Sequence, residues 1–198
     1  LEINRDPVLR FLFFSAFSLN LEELTLTAGK AALSAGDLPE ELLSSFHAYY
    51  AFVLFKTGDD DQAAYHFAAA DNLEIITQLL TEYGLLSDME KGRIDNFLTL
   101  IREKSLLADF GNFITAYIYT LLDRKQEGVT FMDKVSREYL KENDQLLFAA
   151  ISYLNNQNDV EEASTLLDLR EENSPSIQEV LGFYYYNTEA DSLAFNYF

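Results

Sequence analysis

The stretch Pro39–Asp71, PEELLSSFHAYYAFVLFKTGDDDQAAYHFAAAD, reads as two helices joined by a short turn. Pro39 sits where a helix can begin, because the first turn has no N–H partner to lose. Leu, Phe, Tyr and Val residues then continue to about Lys56. Thr57-Gly58 closes the run, since glycine tolerates the left-handed backbone that ends a helix. Asp59, Asp60 and Asp61 follow, where carboxylates cap free N–H groups and complement the helix dipole. The second helix carries Ala63, Phe67 and Ala70. A small Ala63 lets the two helices touch closely. The ring four residues later lies on the same face and fills the space beside it.

Similar punctuation recurs on both sides. Asp6-Pro7 opens a helix over about 6–18, and a second covers about 21–34, before Gly36. Beyond Asp71 the periodicity predicts helices over about 73–83, 87–108, 110–122, 126–142, 144–156, 159–172, 176–187 and 190–198. Ser87 and Glu90 have the spacing of a capping box at the start of the 87–108 helix. Alternating β-branched runs and Asn-Gly or Asp-Gly turns do not appear, so strands are not expected. Helices joined by such short connections form antiparallel hairpins stacked in order.

The hairpins repeat a pattern. After Asp144, Asn158 takes the place of Gly58, and Ala163 and Leu167 follow, with Pro175 beyond. In the last pair, Leu181-Gly182 and Tyr185 precede Ala194 and Phe198; Gly128, with Met132 and Val135, makes one more copy. Ala63 to Gly128 is 65 residues, Gly128 to Ala163 is 35, and Ala163 to Ala194 is 31. The copy due near 78–108 lacks the small residue, and 6–36 is poor in the pattern. This resembles the tetratricopeptide repeat family, whose repeat is 34 residues long. The resemblance implies an all-α, right-handed α-α superhelix, a solenoid of antiparallel hairpins forming a single domain over 1–198. Because the chain begins with Leu, a fragment or mature part of a longer chain is expected.

Composition narrows the function. Fourteen basic and 33 acidic residues give a formal charge of −19. Such a surface repels nucleic-acid phosphates and anionic lipid, and it steers in a basic segment of another protein. Solubility alone also accounts for it. Aromatic content of 14% argues against disorder. The absence of Cys removes disulfides, thiolate metal sites and thiol nucleophiles. No apolar run approaches the roughly 20 residues that span a bilayer. The run Phe11–Phe17 is short and has no basic segment before it, so no signal peptide is read. The compartment is left open, with a soluble, cytoplasmic protein slightly favoured.

Chemistry is sparse. His47 and His66 have no His-x-x-x-His spacing and read as packing or surface residues. Asp59–Asp61 lacks the spaced ligands of a calcium loop and reads as a cap. Glu22-Glu23, Glu161-Glu162 and Glu171-Glu172 fit solvated helix faces. No phosphate-binding loop or nucleophile elbow occurs. The expectation is a non-enzyme without cofactor or metal.

The resemblance implies a groove lined by the first helix of each hairpin. Its positions fall on Lys56, Phe113, Tyr117, Ser152, Asn155, Asn156, Phe183 and Tyr186. Aromatics there would anchor apolar groups, and amides would bond a peptide backbone. Asn155-Asn156 has a second reading, as a helix stop. Chaperone-binding members clamp a C-terminal carboxylate with several cations, and here only Lys56 stands at such a place. The expected function is a protein- or peptide-binding scaffold. The alternatives are a peptide-sensing domain of a larger regulator and an acidic secretion or assembly chaperone.

Overall fold

The structure is a computed structural model. It describes residues 6–36, 38–82, 91–142, 144–156, 160–167, 182, 185–186 and 194. The elements are α1 (Asp6–Ser18), α2 (Glu22–Ala35), α3 (Glu40–Thr57), α4 (Asp60–Ala70), α5 (Leu73–Glu82), α6 (Lys91–Lys104), α7 (Ala108–Leu121), α8 (Lys125–Met132), α9 (Arg137–Glu142), α10 (Asp144–Asn156) and α11 (Val160–Leu167). The class is all-α, with no strand among the described residues. No described helix is long and apolar enough to cross a membrane. Two compact units divide the chain, Leu1–Gly111 and Asn112–Phe198.

In the first unit α1 pairs with α2 and α3 with α4, while α6 packs on α4 and α5 on α3. The α3–α4 turn follows from its sequence. Gly58 has φ 92°, and its N–H reaches the Phe55 carbonyl at 3.1 Å. The Asp59 N–H reaches the Leu54 carbonyl at 2.9 Å, so two of the last carbonyls of α3 are satisfied. Asp59 then caps α4 by accepting from the Gln62 N–H at 3.3 Å. Antiparallel pairing about this turn brings Ser44 to Ala70, where the hydroxyl donates to the carbonyl at 2.6 Å.

Rings hold the unit together. Phe13, Phe46, Phe52, Phe55, Phe67 and Phe97 are all buried. Burial of one such side chain stabilises by about 1.5–3 kcal/mol. A surface ion pair such as Lys104–Asp61, at 2.9 Å, contributes only about 0–1 kcal/mol. The aromatic layer therefore dominates. Arg93 adds a polar tie. Its guanidinium grips Asp60 at 2.6 Å, donates to the Phe55 carbonyl at 2.6 Å, and lies 4.7 Å over the Phe55 ring.

The helix expected over 87–108 is α6, and it stops at Lys104; Ser87–Glu90 lie outside the described residues. The Ser105 hydroxyl bonds the Ile101 carbonyl at 2.7 Å and ends the run. A sharp reversal is needed because Gly111 of α7 lies against α6. A methyl group there would sit 2.9 Å from the Arg102 Cα.

In the second unit α10 packs on α9 and α11. The single helix expected over 126–142 is two helices, α8 and α9, separated at Asp133–Ser136. The Ser136 hydroxyl accepts from the Tyr139 N–H at 3.2 Å and starts α9 afresh. Val135, inside the break, is buried. Ala63, Ala163 and Ala194 are buried, as is Gly128, where a methyl group would lie 2.7 Å from the Tyr153 hydroxyl oxygen. Of the helices expected over 176–187 and 190–198, only Gly182, Tyr185, Tyr186 and Ala194 are described, and each is helical.

Candidate functional site

The helices α1 and α3 run side by side through an aromatic ladder. Phe13 stacks on Phe46 with centroids 4.0 Å apart. Phe14 meets Tyr49 edge-on at 5.8 Å, Phe17 meets Tyr49 at 4.8 Å, and Phe17 meets Phe52 at 5.9 Å. Each contact joins residues about one repeat apart, so the two helices are parallel. The ladder has a buried side and an open side. Phe13, Phe46 and Phe52 are buried, whereas Phe14, Phe17 and Tyr49 are half-buried.

Helical periodicity fixes the outer edge of this surface. Val8, Phe11, Leu12 and Leu19 share one face of α1 and the turn after it, and all are exposed. Phe11 is 75% exposed and Leu19 69%. A shallow groove of about 660 Å³ lies among Pro7, Arg10, Phe11, Phe14, Leu19 and Leu42. Beside Leu42, Glu40 and Glu41 are exposed at the start of α3. Past Leu19, Lys56 is held by Glu22 at 2.6 Å and by the Asn20 amide oxygen at 2.8 Å. This surface offers aromatic faces with an acidic edge.

Of the residues singled out from sequence, Lys56 belongs to the first unit, and Phe113, Tyr117, Ser152, Asn155, Asn156, Phe183 and Tyr186 to the second. Lys56 is tied to the turn after α1 through Asn20 and Glu22. Phe113 is fully buried and Tyr117 half-buried, their rings parallel with centroids 6.5 Å apart. Phe113 is thus core and presents no surface to a ligand, as the inward face of α7 requires. Ser152 is exposed on α10, and Tyr186 is 64% exposed. Asn155 and Asn156 form the last turn of α10, with side chains outside the described residues; Phe183 also lies outside them. Sequence reasoning missed Phe11, Phe14 and Tyr49 as a surface, although their spacing on two successive first helices was the available signal.

The second unit holds a cavity of about 630 Å³ at the break between α8 and α9. Met132, Val135, Leu140 and Leu166 give it apolar walls, and Arg137 pairs with Glu162 at 2.7 Å on its lining.

The acidic triplet resolves into three separate jobs. Asp59 caps α4, Asp60 binds Arg93 and Asp61 binds Lys104. Among the described residues no three or more metal-ligating side chains gather. The two histidines, unremarkable in sequence, meet. Their Nδ1 atoms are 2.8 Å apart across α3 and α4. Burial lowers the His47 pKa; burial and then the charge of His47 lower that of His66 to about 4. No family model, curated protein or solved structure matches the chain.

Proposed function

We propose that this chain is a protein-binding module, a tetratricopeptide-like solenoid that holds a basic, apolar segment of another protein. The observation that carries the reading is the open aromatic surface on α1 and α3, with Phe11 75% exposed above half-buried Phe14 and Tyr49. Exposed apolar groups gathered on one helix face are interaction surfaces far more often than isolated ones. The chain's charge of −19 and the exposed Glu40 and Glu41 favour a cationic partner.

Support for the solenoid comes from the small positions. Gly29 stands 34 residues before Ala63, which is one repeat length. Its hydrogen faces Tyr50 of the next hairpin and Phe13 of its own, as a small residue at a hairpin contact should. Ser152 and Tyr186, both exposed, are accessible to a partner.

Selection of peptides displayed against the whole chain tests this reading. Peptides recovered should be basic, with apolar residues at helical spacing, and should bind more weakly as salt rises. The double substitution Phe11→Ser and Leu19→Ser removes exposed surface only, so it should leave the fold intact and weaken binding at least about tenfold. Selected peptides that are acidic, or that bind the double variant unchanged, would show the reading to be wrong.

A further inference from the structure

We propose that His47 and His66 form a proton-operated latch between α3 and α4, closed while one proton is shared between their Nδ1 atoms and opened when both Nδ1 atoms carry a proton. The geometry demands this. At 2.8 Å one Nδ1 must donate and the other accept. A neutral pair satisfies the rule with one ring in each tautomer. One added proton, taken at the outward Nε2 of the donor ring, keeps the contact and makes it a charge-assisted hydrogen bond. A second must go onto the accepting Nδ1. Two N–H groups then face each other, on rings that both carry positive charge, and the contact cannot persist.

The surroundings oppose that last proton. His66 is 9% exposed, with the ring centroids of Tyr50 at 4.9 Å and Tyr65 at 5.0 Å from its own, each nearly perpendicular to the imidazole. From α2, Lys30 lines the same small cavity as His66, together with Tyr50 and Asp59. Asp59 is already turned to the cap of α4, and Asp71 ends that helix. On α6 the cations Arg93 and Lys104 are held by Asp60 and Asp61. α1 contributes Arg10, and α5 has no titratable group among its described side chains. Burial and the charge of His47 accordingly hold His66 neutral to about pH 4. No third ligand completes a metal-binding group among the described residues.

The latch sits where it can be felt. Tyr50, which meets His66, also fills the space over Gly29 of α2. His47 follows Phe46, whose ring stacks on Phe13 of α1. Parting α3 from α4 at this point therefore reaches both α1 and α2 through their contacts with α3.

A titration of the whole chain followed by NMR tests the proposal. The imidazole signals should titrate in two coupled steps, with His66 in the lower one, well under its ordinary 6.5. The ring signals of Tyr50 and Tyr65 should shift with that lower step, while backbone amides of the second unit stay native. In His47→Gln the midpoint of His66 should rise toward 6.5. Independent midpoints near 6.5, an unchanged His66 in His47→Gln, silent tyrosines, or global unfolding at the same step would each overturn the latch. Should His47→Gln not fold, His66→Gln read at His47 makes the same comparison, and the tyrosine response of the wild type decides by itself.

Discussion

Gly29 of α2 and Tyr50 of α3 approach so closely that a methyl group on Gly29 would lie 2.5 Å from the Tyr50 Cδ2 and 3.0 Å from the Phe13 Cε2. Two effects compete in Gly29→Ala. Helix propensity favours alanine by about 1 kcal/mol. Overpacking of a filled site costs about 1–3 kcal/mol, and Tyr50 is only 7% exposed, with little room to give. The clash should win, leaving a net loss of about 0–2 kcal/mol in urea unfolding. A gain in stability would mean that Tyr50 moves freely.

Ala63→Leu and Ala163→Leu should each destabilise by about 1–3 kcal/mol, because both alanines have no exposed surface. Thermal melts of the two variants check this. Variants that melt with the wild type would remove the close contacts on which the repeat register rests.

Arg93 joins three elements through the Asp60 carboxylate and the Phe55 carbonyl. Arg93→Ala should cost about 1–2 kcal/mol, since the pair is partly exposed and a hydrogen bond from a charged group to a carbonyl is lost with it. Arg93→Lys should recover little, because an ammonium cannot make the forked contact. Equal stability of the lysine variant and the wild type would count against the forked geometry.

Stability should fall on acidification in a defined window. The folded-state pKa of His66 is about 4, below its ordinary 6.5, so the unfolded chain binds the proton first. The contribution is full above pH 6.5 and is lost as pH falls toward 4, by up to about 3 kcal/mol. Urea midpoints measured across this range should drop more steeply in the wild type than in His66→Gln. Parallel curves would show that His66 is not the group responsible.

Much of the fold was legible because helix signals are local. Pro39, Gly58 and Asp59 each act on their own turn of backbone, and they fix the α3–α4 hairpin as read. The break at Asp133–Ser136 was not legible, because Val135 was read as a pattern residue within one helix over 126–142, and the pattern does not say that the chain turns where that residue is buried. Gly29 was passed over because the first hairpin carries few other pattern residues; its role shows only against Tyr50. The site was harder. Groove positions counted by repeat put Phe113 on a surface, yet helical spacing alone cannot say which aromatic face turns inward, and Phe113 is core. The His47–His66 contact was within reach, since both it and Ser44–Ala70 are centred on the Thr57 end of α3.

The two tyrosine rings beside His66 also make the chain its own optical probe. The sequence has no Trp, so tyrosine emission is not drained by energy transfer to an indole. An imidazolium beside a phenol quenches it by a contact mechanism, and Tyr50 and Tyr65 are the rings placed to feel it. Light from this protein should therefore dim with the protonation of a single side chain, without any label attached.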